Sequence, residues 1–454
     1  MADKTIKIGF YGGTEEVTGS NFLIEDGGKR FLIDCGLIQS FTFADHRNWE
    51  TFPYDAKAID GLIVTHAHVD HIGRIPKLIH EGFRGKIYST PPTKELAAVM
   101  LRDTANILSK DKRFPLAEIY NEGNIQKALS LWQTMPYHSI LSLTPLLEFC
   151  FHDAGHILGS AMIHVKYAGK TIIFTGDLGN SPSPLLRDSE PIGDADYLVM
   201  ESVYGDRNHE DREKRREILA SLIEKTYQKK GILLIPTFSL ERVQELLYEI
   251  DGLVENSLVP TMPIFLDSPL AIELTKIYKD HQDYFNKHTQ FIISAGDDIF
   301  NFPGLKETFR TEESKNIFNV PAPKIIIAGS GMSSGGRILH HEKNYLADPK
   351  TTVLLTGYQT PGTLGHKLQE GAKTVTIFGE NTPVAAEIVK ISGYSGHKDS
   401  DHLVEFVEKS KKTLEKVFVV MGEPMASMHL VSRLKEKGVT AIVPKMGEVI
   451  TLSF

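Results

Sequence analysis

The stretch Thr65-His66-Ala67-His68-Val69-Asp70-His71 decides how this chain is read. Three histidines and one aspartate fall within six positions, directly after the apolar run Gly61-Leu62-Ile63-Val64. That run reads as a buried strand ending at a ligand-rich loop. Neutral imidazole and carboxylate are ligands that zinc prefers, at about 2.0–2.2 Å. His66 and His68 suit one ion, which leaves Asp70 and His71 for a second. Two metals roughly 3.5–4 Å apart can clamp the attacking and leaving oxygens of a phosphoryl displacement. A polar surface loop with incidental histidines is the competing reading, and the density of the pattern weighs against it.

Further ligands follow downstream. His156 lies in His152-Asp153-Ala154-Gly155-His156-Ile157-Leu158-Gly159-Ser160-Ala161. Asp177 closes the apolar run Ile172-Ile173-Phe174-Thr175-Gly176-Asp177. Alone, Gly-Asp after a strand is usually a turn. With the histidine cluster upstream, Asp177 suits a carboxylate bridging two metals. The expected sets are His66, His68 and His156 on the first zinc, and Asp70 and His71 on the second, with Asp177 shared. Ala168-Gly169-Lys170-Thr171 has only the tail of a phosphate-binding loop, because His164 stands where the first glycine is needed. It reads as a hairpin turn.

These motifs resemble the metallo-β-lactamase superfamily, and later ones narrow the likeness to its β-CASP members. Glu201-Ser202-Val203-Tyr204-Gly205 is similar to the element that opens the β-CASP insertion. Pro236-Thr237-Phe238-Ser239-Leu240-Glu241-Arg242-Val243-Gln244-Glu245 resembles that family's helix entry. Asp267-Ser268-Pro269-Leu270-Ala271, Gly329-Ser330-Gly331-Met332-Ser333-Ser334-Gly335-Gly336-Arg337, Gly357-Tyr358-Gln359-Thr360-Pro361-Gly362-Thr363-Leu364-Gly365 and Ser395-Gly396-His397 follow in the family's order. The likeness is greatest to the ribonuclease branch, which includes the nuclease subunit of the pre-mRNA 3′-end cleavage factor and its bacterial and archaeal homologues.

The resemblance implies an α/β fold: a metallo-β-lactamase αββα sandwich with an inserted β-CASP α/β domain whose sheet is mainly parallel. It implies residues 1–205 and 388–454 in the first domain and 206–387 in the insertion. The implied activity is that of a zinc-dependent RNA phosphodiesterase in RNA processing or decay, an endoribonuclease with possible 5′-to-3′ exonuclease action. Hydroxide attack would leave 5′-phosphate and 3′-hydroxyl ends. Asp70, Glu201 and His397 are the expected catalytic residues, with His397 as general acid oriented by Glu201. Ser330, Gly331 and Arg337 are expected to bind substrate: a loop of small residues exposes backbone N–H groups to a phosphate, and Arg337 adds a fork. The expected partner is single-stranded RNA, with self-association as a homodimer and no membrane. A DNA nuclease on the same scaffold and an attenuated nucleic-acid-binding scaffold protein are the alternatives.

One departure matters. The ribonuclease branch places a second-site histidine where Val419-Val420-Met421-Gly422-Glu423 has Met421. A thioether is a poor zinc ligand. One tight zinc and a second, weakened one are therefore expected, and His429 is too far along a following helix to substitute. Val203 and His366 are smaller departures, standing where the family has Thr and Arg.

Composition agrees with a globular enzyme. At 454 residues two domains are expected, and 41% hydrophobic with 24% charged residues is ordinary. Two cysteines make no disulfide framework, and Cys35 and Cys150 both sit in apolar runs. No basic-then-apolar leader and no apolar run near eighteen residues is found, so the cytoplasm is the default. The net charge of −8 gives no basic footprint, so cationic groups would have to be concentrated in a cleft. The run Asp211-Arg212-Glu213-Lys214-Arg215-Arg216-Glu217 reads as a solvated helix face. Residues 6–36 read as a strand meander, and residues 94–136 as mostly helical. From about 206, strands alternating with helices imply a parallel sheet, and Lys306 to Asn316 reads as a mobile loop. His138, His164, His340, His341 and His402 read as structural or surface residues.

Overall fold

The Gly27-Gly28 turn closes the meander as its composition predicts. Both glycines have positive φ, and the turn joins strands Phe22–Asp26 and Lys29–Ile33 in antiparallel register. The computed structural model describes residues 4–39, 45–110, 116–209, 214–410 and 412–454. Asp211, Arg212 and Glu213 of the expected charged helix face lie outside the described residues. The chain divides into one unit of residues 1–208 and 397–454 and a second of 209–396.

The first unit is built on two seven-stranded sheets. One runs Val449–Ser453, Thr5–Phe10, Phe22–Asp26, Lys29–Ile33, Gly61–Ile63, Lys86–Ser89, Trp132–Thr134 in spatial order. The other runs Ala441–Ile442, Lys416–Val420, Tyr197–Glu201, Lys170–Phe174, Ala161–Tyr167, Leu147–Asp153, Ile140–Ser142. Alternating side chains from both meet in a shared core containing Ile8, Phe10, Phe31, Phe149, Phe151, Val199 and Phe418. The opposite face of the second sheet, with Ile173, Leu198 and Val417, is covered by Leu403 and Val407 of helix Ser400–Glu408 and Leu430 and Leu434 of helix Pro424–Glu436. Helices Pro91–Leu108 and Glu122–Leu131 contact the edge of the first sheet. The expected αββα sandwich is present.

The second unit holds a six-stranded sheet, in the order Leu305–Glu307, Ile264–Leu266, Lys324–Ala328, Ile232–Pro236, Thr352–Leu355, Glu387–Lys390. Every pairing in it is parallel, as the helix–strand alternation predicts. Two details differ from expectation. The 306–316 segment is not a loop: it forms the edge strand and helix Thr311–Asn316, because the buried Asp267 carboxylate gathers the Thr308 and Ser314 hydroxyls, each at 2.6 Å. Arg215 is not solvated either. It is buried against Glu249 at 2.7 Å and donates to the Gly393 carbonyl. No helix among the described residues is long and apolar enough to cross a membrane.

Candidate metal centre

The ligand-type residues of the first unit sit where its strands end. The His66–His71 segment follows Gly61–Ile63, with Asp70 and His71 on the helical turn Val69–Ile72; His156 follows Leu147–Asp153, and Asp177 follows Lys170–Phe174. Glu201 is the last residue of its strand. Ala161 N–H donates to the Thr65 carbonyl (2.8 Å), which ties one sheet to the ligand loop of the other. Close approach demands glycine at Gly179, where a Cβ would lie 1.8 Å from the Gly155 carbonyl oxygen. His156 is set by its own Gly-x-x-x-Gly-Ser context, since its N–H donates to Ser160 Oγ (3.0 Å).

Four ligand atoms converge. His68 Nδ1 is 3.1 Å from both His66 Nε2 and His156 Nε2. Asp177 Oδ2 is 3.4 Å from the same two nitrogens. A tetrahedral ion with bonds of about 2.0–2.1 Å has ligand–ligand edges of about 3.3–3.4 Å. A proton can bridge one such nitrogen–nitrogen contact, whereas one cation satisfies all of them. Burial pushes His66, His68 and His156 below the usual histidine range. Neutral imidazoles are the form that coordinates.

Beside this cluster, His71 Nδ1 lies 2.7 Å from Asp34 Oδ2. A carboxylate only accepts, so Nδ1 carries the proton and Nε2 is turned to Asp177 Oδ1 at 3.3 Å. Both facing atoms are buried and have no hydrogen-bond partner among the described residues. Such a pair requires a cation between it, either an extra proton or a metal. Asp70 lies half-buried nearby. Burial raises its carboxyl, His71 lowers it, and Asp177 raises it further. The donor set and the orphaned atoms therefore fit a first metal on His66, His68, His156 and Asp177, and a second beginning from His71 and Asp177.

Asp34 is the residue that sequence reading passed over. Fully buried, it accepts from Ser20 Oγ (3.0 Å), Thr65 N–H (2.8 Å) and His71, and so fixes both the ligand loop and the His71 tautomer. Its signal was present: an aspartate closing an apolar strand, the pattern that singled out Asp177.

Glu201 and His397 meet, with His397 Nδ1 3.3 Å from Glu201 Oε1. Leu178 N–H also donates to that oxygen (2.6 Å). Atoms of Asp177, Glu201 and His397 lie within 4.8 Å of one another, and the His397 ring is 4.7 Å from that of His156. Burial works against a charged His397, but the Glu201 carboxylate, with Asp177 and Asp70 adding to it, holds the imidazole up to about 9. Met421 is buried in the sheet core, at φ 51, and its Sδ lies against Gly13. His429 Nδ1 is engaged by the Gly205 carbonyl at 2.9 Å.

The residues expected to bind substrate lie in the second unit. Ser330 Oγ accepts from Ser334 N–H (3.0 Å), and Gly331 is buried against Phe238, with its carbonyl accepting from Gln359 (3.1 Å). Arg337 is turned inward: Nη1 contacts Asp267 (2.7 Å) and the Thr308 carbonyl (2.9 Å), and Nη2 the Phe309 carbonyl (2.8 Å). This guanidinium holds the loop rather than offering a free fork.

Three family profiles match the chain: a metallo-beta-lactamase superfamily domain over residues 23–191, a Beta-Casp domain over 243–368, and a Zn-dependent metallo-hydrolase RNA specificity domain over 381–444. A ribonuclease of Thermus thermophilus is 36% identical, over 96% of this chain and 98% of that protein. An RNase J-like protein of Methanocaldococcus jannaschii is 33% identical, over 98% and 100%. A transcription termination factor of Methanosarcina mazei is 30% identical, over 96% and 70%. A crystal structure of a protein of unknown function from Enterococcus faecalis, at 11% identity, shares the fold alone with a TM-score of 0.58, over 99% of this chain and 100% of that one. With relatives of this identity along nearly its whole length, the chain belongs to the β-CASP ribonuclease branch of the metallo-β-lactamase superfamily.

Proposed function

We propose that this chain is a metal-dependent phosphodiesterase that cuts single-stranded RNA. In this reading residues 206–387 form the inserted β-CASP domain, and 1–205 with 388–454 form the catalytic one. The observation that carries the proposal is the tetrahedral spacing of His66, His68, His156 and Asp177 with the Glu201–His397 pair alongside. Nitrogen and carboxylate donors at this spacing favour zinc. Metals held there would activate a water and offset charge on the phosphoryl oxygens.

The chain's own residues do the rest. Asp34 keeps the His71 proton on Nδ1, leaving Nε2 free to coordinate. Asp177 presents one oxygen to each half of the centre. Glu201 accepts from Nδ1–H of His397, and the other ring nitrogen serves as the proton donor. That proton goes to the leaving ribose 3′-oxygen, and the products carry 5′-phosphate and 3′-hydroxyl ends. The RNA specificity domain match and the ribonuclease names of the relatives support RNA over DNA.

The test is cleavage of matched RNA and DNA oligonucleotides by metal-depleted protein reloaded with zinc or manganese, with the ends identified. RNA should be cut and DNA spared. Equal or faster turnover of single-stranded DNA overturns the RNA assignment. Binding without cleavage by fully loaded protein selects the scaffold alternative.

A further inference from the structure

The histidines outside this centre gather at one other place in the first unit. His138 lies between strands Trp132–Thr134 and Ile140–Ser142, and His152 lies on Leu147–Asp153. Glu190 lies on the segment joining Lys170–Phe174 to Tyr197–Glu201. His138 Nε2 is 3.3 Å from Glu190 Oε1, and His152 Nδ1 is 3.1 Å from Glu190 Oε2. One ligand atom from each of the three lies within 4.8 Å of the others.

The arrangement repeats that of the first centre. The His138 and His152 rings are 4.8 Å apart at 90°. The three ring pairs among His66, His68 and His156 are each 5.0 Å apart, at 73° to 83°. The competing reading is two ion pairs sharing one carboxylate. It would set two protonated rings 4.8 Å apart around a single negative charge. It would also stack one of them on His164, whose ring is 3.7 Å from that of His152. A divalent cation instead uses the lone pairs of both imidazoles and the carboxylate together.

We propose that His138, His152 and Glu190 form a second transition-metal site of the two-histidine, one-carboxylate type, which takes zinc or a similar borderline ion. The His138 side chain is 59% exposed, so an ion has an open approach and water can complete its coordination. The site joins three separate segments. Glu190 N–H donates to the Asp153 carbonyl (2.9 Å), three residues before His156. A metal here therefore braces the backbone that carries a ligand of the first centre, and its role is positional.

Anomalous scattering at the zinc edge, on crystals of the full chain depleted of metal and reloaded with zinc, tests this directly. A peak between His138, His152 and Glu190 is expected, separate from that at His66, His68 and His156. Elemental analysis of His138→Ala/Glu190→Gln should find one zinc fewer per chain. Affinity for that ion should drop by at least about 10-fold, since even outer partners of a metal carry that much. An anomalous map with no peak at Glu190 overturns the proposal, and so does an unchanged zinc count in the variant. Should the variant not fold, the map of the unaltered protein decides alone.

Discussion

Asp177 and Asp267 are both buried carboxylates that follow apolar strands, one in each unit, and both are held below the ordinary carboxylate range against the opposing effect of burial. Their surroundings differ in kind. Asp267 is met by Thr308, Ser314, Arg337 and His341 at 2.6–2.7 Å, the length of strong charge-assisted hydrogen bonds. Asp177 is met by imidazole nitrogens at 3.3–3.4 Å, and one of its oxygens has no hydrogen-bond partner among the described residues. Those distances are long for hydrogen bonds and right for the edges of a coordination shell. A buried acid with four short donors is finished as structure. One ringed by imidazoles at a longer spacing is waiting for a cation.

If that contrast is sound, disabling the Asp177 side of it should destroy activity and spare the fold. Replacing Asp70 and His71 together by alanine should reduce RNA cleavage by more than about 10⁴-fold, because a metal pair supplies several kcal/mol of barrier lowering. The thermal midpoint of the metal-depleted protein should stay close to that of the unaltered chain. Full cleavage by the double variant would break the two-metal reading.

The next effect in size belongs to His397. His397→Ala should slow single-turnover cleavage by about 10²–10⁴-fold with zinc content unchanged. Because Asp177, Glu201 and His397 present atoms within 4.8 Å of one another, a fall in zinc content instead would make His397 a ligand.

Asp267 should show the opposite profile. Asp267→Asn leaves the partly exposed Arg337 and the buried His341 without their counter-charge; losing one member of a fully buried pair costs about 3–5 kcal/mol, and the exposure of Arg337 places this change at or below the lower end. Urea unfolding measures this, while zinc content should not change, since the ligands lie in the other unit. The pH dependence has a definite sign. The folded pKa of Asp267 is depressed, so its stabilisation is complete above the unfolded value of about 3.9 and is lost as pH falls below it. Unaltered stability in Asp267→Asn would erase the distinction between the two acids.

What could be read from sequence follows the same division. Ligand-type residues announce themselves because coordination needs particular side-chain types crowded at strand ends: the proposed ligands from His66 to His71, His156 and Asp177 are visible for that reason. Asp34 shows the same strand-then-aspartate pattern. It passed unremarked because its work, orienting His71 from 37 residues away, is a tertiary fact. Arg337 has a partner that is likewise a tertiary fact. An arginine after a glycine-rich loop resembles a phosphate fork, yet Asp267, 70 residues earlier, claims it. The 306–316 segment is charged and so looked mobile, but two of its hydroxyls satisfy that same buried acid. The opening meander and the parallel pairing of the insertion were legible because periodicity and helix–strand alternation are local.

The smallest effect concerns the position where the family pattern fails. Met421 follows the strand Lys416–Val420, whose last residue pairs with Glu201, and its carbonyl accepts from Ser202 N–H at 3.3 Å. Position 421 thus stands beside the metal-facing strand end, yet its thioether lies against Gly13 and offers zinc nothing. The first metal keeps three histidines and Asp177, whereas the second starts from His71, Asp177 and the nearby Asp70. The centre at His66, His68, His156, Asp177 and His71 should therefore hold fewer than two tight zinc ions, counted apart from any ion at Glu190, and cleavage should rise with added metal. Met421→His should tighten the second ion by about 10–100-fold or more, given what even outer partners contribute. The backbone there is already at φ 51, a region that histidine enters more readily than most residues. Zinc titration of the metal-depleted variant measures the gain. Two tightly held ions at that centre of the unaltered protein, located by anomalous scattering, would mean that another group already completes the second site and that the methionine costs the centre nothing.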